Sequence, residues 1–418
     1  MMTDRKFRIY LIIIISSCII LFMLAIRNTS NDVKVDTKIK WKPKSKNFFL
    51  DETGATDSTA KKDDTNSDTT NIDTRSQKCQ KLCTVKYDIA KGYPPVANSG
   101  LYGDYLCPTM FRDMSDYVFG WPFSHFHEVV NVPDLREVLD CLPPVPILFS
   151  KGDPQLVRSF IKQLGDHVKP GFILLTGQTD FPSPGENKKL LDNPNILRWY
   201  GSNPDITHPK FHPFPLGLQC FEHAQGMLQF HNKYGENIKD KLQNNRGRME
   251  NGDFQKLAVL NFGETHPVRR TVKTQLCNEK HPYIECQNKL WTNNMTGENG
   301  KLSLLYESLS KYPFWVAPRG NGLDTHRIWE ALYVGSIPIV QRSLMDPLFK
   351  DLPVLLIDNY EDLTEKLLKD TLIKFSEMDV NTKALYRHYW RANIEKFRSE
   401  MIKKYNLADS ARFRCWGT

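Results

Sequence analysis

The chain has 418 residues, with 56 Lys and Arg against 48 Asp and Glu, for a formal net charge of +8. Its basic residues are scattered rather than banded, which argues against nucleic-acid binding. No Ser/His/Asp arrangement and no P-loop points to a hydrolase or a kinase, and the length is ample for an anchor, a stem and two cored α/β domains.

Residues 9–26 form an uncharged apolar run of 18 residues, at the short end of what spans a bilayer. A cleaved signal peptide is the alternative, but the run exceeds a usual h-region and lacks an A-x-A-type site. It is read as a signal anchor behind a cytoplasmic tail, 1–8. Arg5, Lys6 and Arg8 precede it, whereas Arg27 and six lysines from Lys34 to Lys46 follow, and raw counting would reverse the topology. Long downstream domains translocate largely regardless of charge, so a single-pass type II protein of the Golgi or endoplasmic-reticulum membrane is expected. Residues 27–78, rich in Asp, Thr, Lys and Ser, read as a flexible stem.

Of nine cysteines, Cys18 lies in the anchor. The other eight form an even set, as a lumenal domain would, and Cys277 with Cys286 is the pair expected to bridge first. Asn294-Met295-Thr296 is a glycosylation sequon. His125 and His127 share one face of an extended segment, but no further ligands complete a metal site.

The first α/β domain is assigned to 79–250. Its clear part starts at strand 145–150, followed by the Lys151-Gly152-Asp153 loop and an amphipathic helix over 155–164. Strand 172–176 opens into Gly177-Gln178-Thr179-Asp180, a helix carries 188–191, and 196–200 is a third strand. Such alternation predicts a parallel sheet with its loops facing a cleft. Residues 208–219 read as a rigid extended connection, and 232–253, charged and Asn-rich, as the interdomain linker.

The second domain, 251–418, restarts with strand 256–263. Gly263 ends it, Pro267 suits a first helical turn, and Arg269 and Arg270 follow where the helix dipole disfavours cations. An anionic ligand there resolves the mismatch. The densest signal is 314–340, FWVAPRGNGLDTHRIWEALYVGSIPIV. It predicts a buried strand, a Gly-containing loop, a helix with Asp324 or Thr325 at its N-cap and Gly335 at its C-cap, then a second buried strand. Strand 354–357 and amphipathic helices 361–375 and 384–404 complete the chain. Asn321 and Gly322 let backbone N–H groups approach an anion, Arg319 precedes the loop, and Arg327 and Glu330 lie one turn apart. An Arg fits phosphate oxygens, while a Glu accepts the two hydroxyls of a ribose. The bland alternative is that Arg327 and Glu330 pair with each other on the surface.

This stretch resembles the C-terminal part of the exostosin-type glycosyltransferases. The matching residues are Pro318, Arg319, Gly320, Arg327, Glu330, Ala331, Leu332, Gly335, Ile337, Pro338 and Ile339. The resemblance is specific over 301–340, holds as a pattern over 257–398, and is not visible before about 250. It implies a GT-B architecture, a nucleotide-sugar donor (a UDP-sugar) on the C-terminal domain, and inversion at the anomeric carbon. In that family a Gly after a strand, followed by Arg at the distance of Arg269 and Arg270, opens the donor domain. The α1,3-fucosyltransferases have a looser likeness, normally with Lys beside the Glu, where this chain has Arg327 and Trp329. No Asp-x-Asp occurs, so no metal cofactor is expected. The expected partners are the donor, a glycan or glycoprotein acceptor, and the membrane. A base must deprotonate the acceptor; Asp180 is the first candidate and Asp153 the second, though either can simply cap the following helix. A lumenal binding protein with the same fold and no turnover is the alternative of a different class.

Overall fold

A computed structural model describes residues 77–83, 103–119, 133–219, 222–287, 299–408 and 415. The predicted anchor, nearly all of the stem, His125, His127 and the Asn294 sequon lie outside them. Among the described residues no helix is long and apolar enough to cross a membrane. All of them belong to one compact unit, Thr65–Thr418.

Two parallel five-stranded sheets make up this mixed α/β, Rossmann-like structure. The first holds β1 (Tyr117–Phe119), β2 (Ile147–Lys151), β3 (Phe172–Gly177), β4 (Ile196–Gly201) and β5 (Phe211–Pro213) in sequential order. β2 and β3 are apolar because both faces are covered. Leu148 and Leu174 point into one core with Val157 and Phe160, whereas Phe149, Ile173 and Leu175 point into the other. That period of two follows from the pleat. Helix α1 (Pro154–Leu164) covers the first face, with Asp153 as N-cap and Pro154 in its first turn.

The predicted linker is a correction. Helices α2 (Glu222–Tyr234) and α3 (Ile238–Glu250) occupy nearly all of 232–253. Ile238 and Leu242, four apart, give α3 a narrow buried stripe that its polar remainder conceals. The segment predicted as a helix at 188–191 is a 3₁₀ stretch, Gly185–Asp192, kinked at Asn187. The connection at 208–219 contributes the edge strand β5.

The second sheet has the order β10-β9-β8-β6-β7, built from β6 (Ala258–Leu260), β7 (Ile284–Cys286), β8 (Phe314–Val316), β9 (Ile337–Gln341) and β10 (Leu355–Ile357). From β6 the chain steps outward to β7, then returns to β8 on the other side. The β6/β8 boundary is therefore a topological switch point, with a crevice at its carboxyl end. Its helices are α4 (Pro267–Leu276), α5 (Asn299–Leu309), α6 (His326–Val334), α7 (Glu365–Glu377) and α8 (Arg387–Lys404). Gly335 ends α6 in the left-handed region at φ 80°, as the sequence predicts. Disulfides join Cys79 to Cys141, Cys83 to Cys415, and Cys277 to Cys286, the last being the pair expected first.

Candidate functional site

The loops after β6 and β8 face each other across the switch-point crevice, and together with the loop after β3 they enclose a cleft of about 390 Å³. Of the residues singled out in the sequence, Asp180, Gly263, Arg269, Asn321, Gly322, Arg327 and Glu330 line it. Arg270 does not; it is largely exposed and pairs with Glu264 at 3.1 Å. Arg319 does not line it either, its guanidinium turning back to the carbonyls of Gly320 (3.3 Å) and Asn321 (2.9 Å) and so stiffening the loop from behind. Asp153 is spent on capping, its Oδ1 accepting from Gln155 N (2.9 Å) and Leu156 N (3.2 Å).

The β8 loop leaves little room for a side chain at two glycines. A Cβ on Gly320 would lie 3.2 Å from the Arg269 guanidinium, and one on Gly322 would lie 2.7 Å from Asn203 Oδ1. Asn203 ties the halves together: its Oδ1 accepts from Asp324 N (2.9 Å) and its Nδ2 donates to the Thr179 carbonyl (2.9 Å). It does so at φ 55°, a backbone region that a non-glycine residue seldom adopts.

Two cations converge here without a carboxylate of their own. Arg269 donates to the Arg319 carbonyl, the Gly263 carbonyl and Thr265 Oγ1, each at 3.1 Å and each neutral. Arg327 makes no hydrogen bond or ion pair with any described residue. Its guanidinium rests 5.5 Å from the centre of the Trp315 ring, leaving all five N–H donors uncommitted. Burial, then mutual repulsion, disfavours the charge on Arg269; burial also disfavours that on Arg327.

The surface ion pair between Arg327 and Glu330 is not formed. Glu330 is buried and its Oε1 accepts from His223 Nδ1 (2.9 Å) and Tyr306 Oη (3.3 Å). Burial would raise its pKa, but the His223 hydrogen bond and charge, with Arg327 and His326, hold it below the usual carboxylate range. Oε2 accepts no hydrogen bond from the described residues.

The N-terminus of α6 opens into the same cleft. Thr325 occupies the N-cap position, yet its side chain makes no capping hydrogen bond and its buried hydroxyl has no hydrogen-bond partner among the described residues. The first N–H groups of α6 are therefore not capped by a side chain, which suits an anion. Asp324 instead accepts from Leu216 N (2.7 Å) and Trp329 Nε1 (2.8 Å). Burial lifts its carboxyl to about 7 against these hydrogen bonds.

The chain matches no protein-family model and no curated protein.

Three contributors escaped the sequence reading. Asn203, His223 and His326 each carry ordinary residue types without a distinguishing pattern. His223 lies on α2, most of which falls between the segments the sequence assigns, and His326 sits in the most readable stretch of the chain, next to the stronger signal of Arg327. Its Nδ1 lies 2.7 Å from the Gly217 carbonyl, which can only accept. Nδ1 therefore carries the proton, and Nε2 is left with a lone pair. Among the described residues no group of three or more His, Cys, Asp or Glu is placed to hold a metal ion.

Proposed function

We propose that the protein is an exostosin-type glycosyltransferase of GT-B architecture. It transfers a sugar from a nucleotide-sugar, a UDP-sugar in the first instance, to a hydroxyl of a glycan or glycoprotein, with inversion. The observation that carries this reading is Arg327: a half-buried guanidinium that rests on the Trp315 ring, has no hydrogen-bond or ion-pair partner among the described residues, and faces a cleft at a topological switch point. A buried charge costs too much to be left unpaired, so an external anion is its natural complement. The diphosphate is assigned to Arg327, Arg269, the Asn321-Gly322 backbone and the uncapped α6 terminus. The ribose hydroxyls are assigned to Glu330 Oε2, one turn deeper and away from the repelling phosphates. Charge building on the leaving nucleotide meets these fixed cations, so no metal is required in the reading. Anchoring by 9–26, a lumenal body in the Golgi or endoplasmic reticulum, and a glycan on Asn294 belong to the same proposal.

The test is thermal denaturation of the soluble body against a panel of nucleotides and nucleotide sugars, with and without EDTA. Binding to the native state alone stabilises it by about 2.7 kcal/mol at a hundredfold excess over Kd. A UDP-sugar shift that persists in EDTA, with UDP release, is expected. A shift with GDP-fucose alone would favour fucosyl transfer, binding without turnover would favour the non-catalytic alternative, and no shift with any nucleotide would overturn the proposal.

A further inference from the structure

Inverting transfer needs a group on the protein to receive the acceptor's proton, and the cleft narrows the choice. Asp324 is 4% exposed with both oxygens already accepting N–H bonds. Glu330 is held ionised against His223 and Tyr306, which weakens it as a proton acceptor. Asp180 is exposed and, among the described residues, accepts one hydrogen bond, from the Asn321 amide at 3.4 Å. His326 differs from all three. It sits at the first position of α6 and lines the cleft beside Arg327. Its Nδ1–H is pinned on the Gly217 carbonyl at 2.7 Å, and its Nε2 has no partner among the described residues.

We infer that His326, through Nε2, is the catalytic base that takes the acceptor's proton, an assignment that rests on the glycosyl-transfer reading above. In the transfer step the acceptor O–H bond breaks and its proton passes to Nε2. The acceptor oxygen forms a bond to the anomeric carbon. The bond from that carbon to the diphosphate oxygen breaks, and its electron pair leaves with the nucleoside diphosphate, opposite Arg269 and Arg327. The Gly217 carbonyl both sets the tautomer and steadies the imidazolium that forms. The charged groups around the ring act in both directions: Glu330 on α6 and Asp180 on the β3 loop favour the protonated form, and His223 on α2 opposes it. Burial, the larger effect, keeps the ring neutral and ready to accept at neutral pH.

His326→Asn isolates the claim, because its side-chain amide can still donate to the Gly217 carbonyl while the Nε2 lone pair is gone. Turnover is read as UDP release from the UDP-sugar giving the largest thermal shift, with water or a glycan panel as acceptor. The expected result is an unchanged UDP shift, a donor KM within about twofold of wild type, and kcat lower by about 10²- to 10⁴-fold. The wild-type kcat/KM should fall on the acid side with its midpoint below the ordinary imidazole value, the variant should lack that limb, and imidazole should restore part of the variant's rate. Wild-type kcat in the variant, or loss of the UDP shift together with turnover, would overturn the assignment. Protein that binds no nucleotide at all would instead overturn the transfer reading on which the assignment stands.

Discussion

Arg327 and Glu330 are one turn apart on α6, yet they answer to different neighbours, and this separates their expected effects. Arg327 has no hydrogen-bond or ion-pair partner among the described residues, only the Trp315 ring and the charge of Glu330, so Arg327→Ala should lower the melting temperature of the free protein little. Donor affinity should fall about ten- to a hundredfold, the worth of a charge-assisted hydrogen bond of about 1.5–3 kcal/mol. Glu330→Ala should do both: it removes the acceptor that His223 Nδ1 and Tyr306 Oη share, leaving them their 3.1 Å contact with each other, at about 1–3 kcal/mol, as well as emptying the ribose position. Titration calorimetry with UDP and a thermal melt of each variant check the pair. Equal melting losses in the two variants would mean that Arg327 has a structural partner after all. The spacing of the two residues was legible in the sequence, because a helix places positions three apart on one face. Their partners were not. His223 is 107 positions from Glu330, and nothing local in either segment signals the contact.

The β8-to-α6 loop is the element on which the cleft depends, and Asp324 is its internal brace. Burial lifts this carboxyl to about 7, well above the ordinary value near 4. Between those values the folded protein holds a proton that the unfolded chain has released. Stability contributed by this group therefore falls as pH rises through the window from about 4 to 7. The melting temperature of wild type relative to Asp324→Asn should accordingly be higher at pH 5 than at pH 7.5, and a difference independent of pH would contradict the assignment. The variant should also be less stable throughout, since its amide NH₂ must face either Leu216 N–H or the Trp329 indole N–H. Elements with strong local signals were readable: α6 between its cap residues, and β2, β3, β8 and β9 as apolar runs. α2 and α3 were not, because their packing is supplied from elsewhere. Gly226 lets α2 approach α5 so closely that a Cβ there would lie 2.6 Å from that of Leu302, and no periodicity within α2 announces such a contact. β7, three residues long, is a strand only because β6 pairs with it.

At the scale of the whole molecule, the two sheets are not free-standing. The core on one face of the first sheet (Phe149, Ile173, Leu175) is continuous with that around Trp315, Trp329 and Ile339 of the second. Helix α8 closes the connection from the far end of the chain. Its Arg398, 1% exposed, donates from Nη2 to Asp116 Oδ2 at 3.0 Å, and the same oxygen accepts from Ile147 N at 2.8 Å where β2 begins. One residue earlier, the Phe397 ring lies under the Arg198 guanidinium at 3.5 Å. The Cys83–Cys415 bridge spans 332 positions and joins the same two ends covalently. The return of a C-terminal helix was legible as an amphipathic pattern, but a buried ion pair over such sequence distances was not. Removing one partner of a buried pair costs about 3–5 kcal/mol where the other charge keeps no further partner. Arg398→Met keeps most of the side-chain volume but leaves Asp116 the Ile147 N–H and its other contacts, so it should destabilise the protein by less than that full amount. Because α8 and the shared core couple both sheets, the loss should appear as one transition moving down as a whole in calorimetry, not as early melting of a single half. Two resolved transitions in the variant, with the half containing β6–β10 keeping its wild-type temperature, would show that the shared core does not couple the sheets without the Arg398 contact.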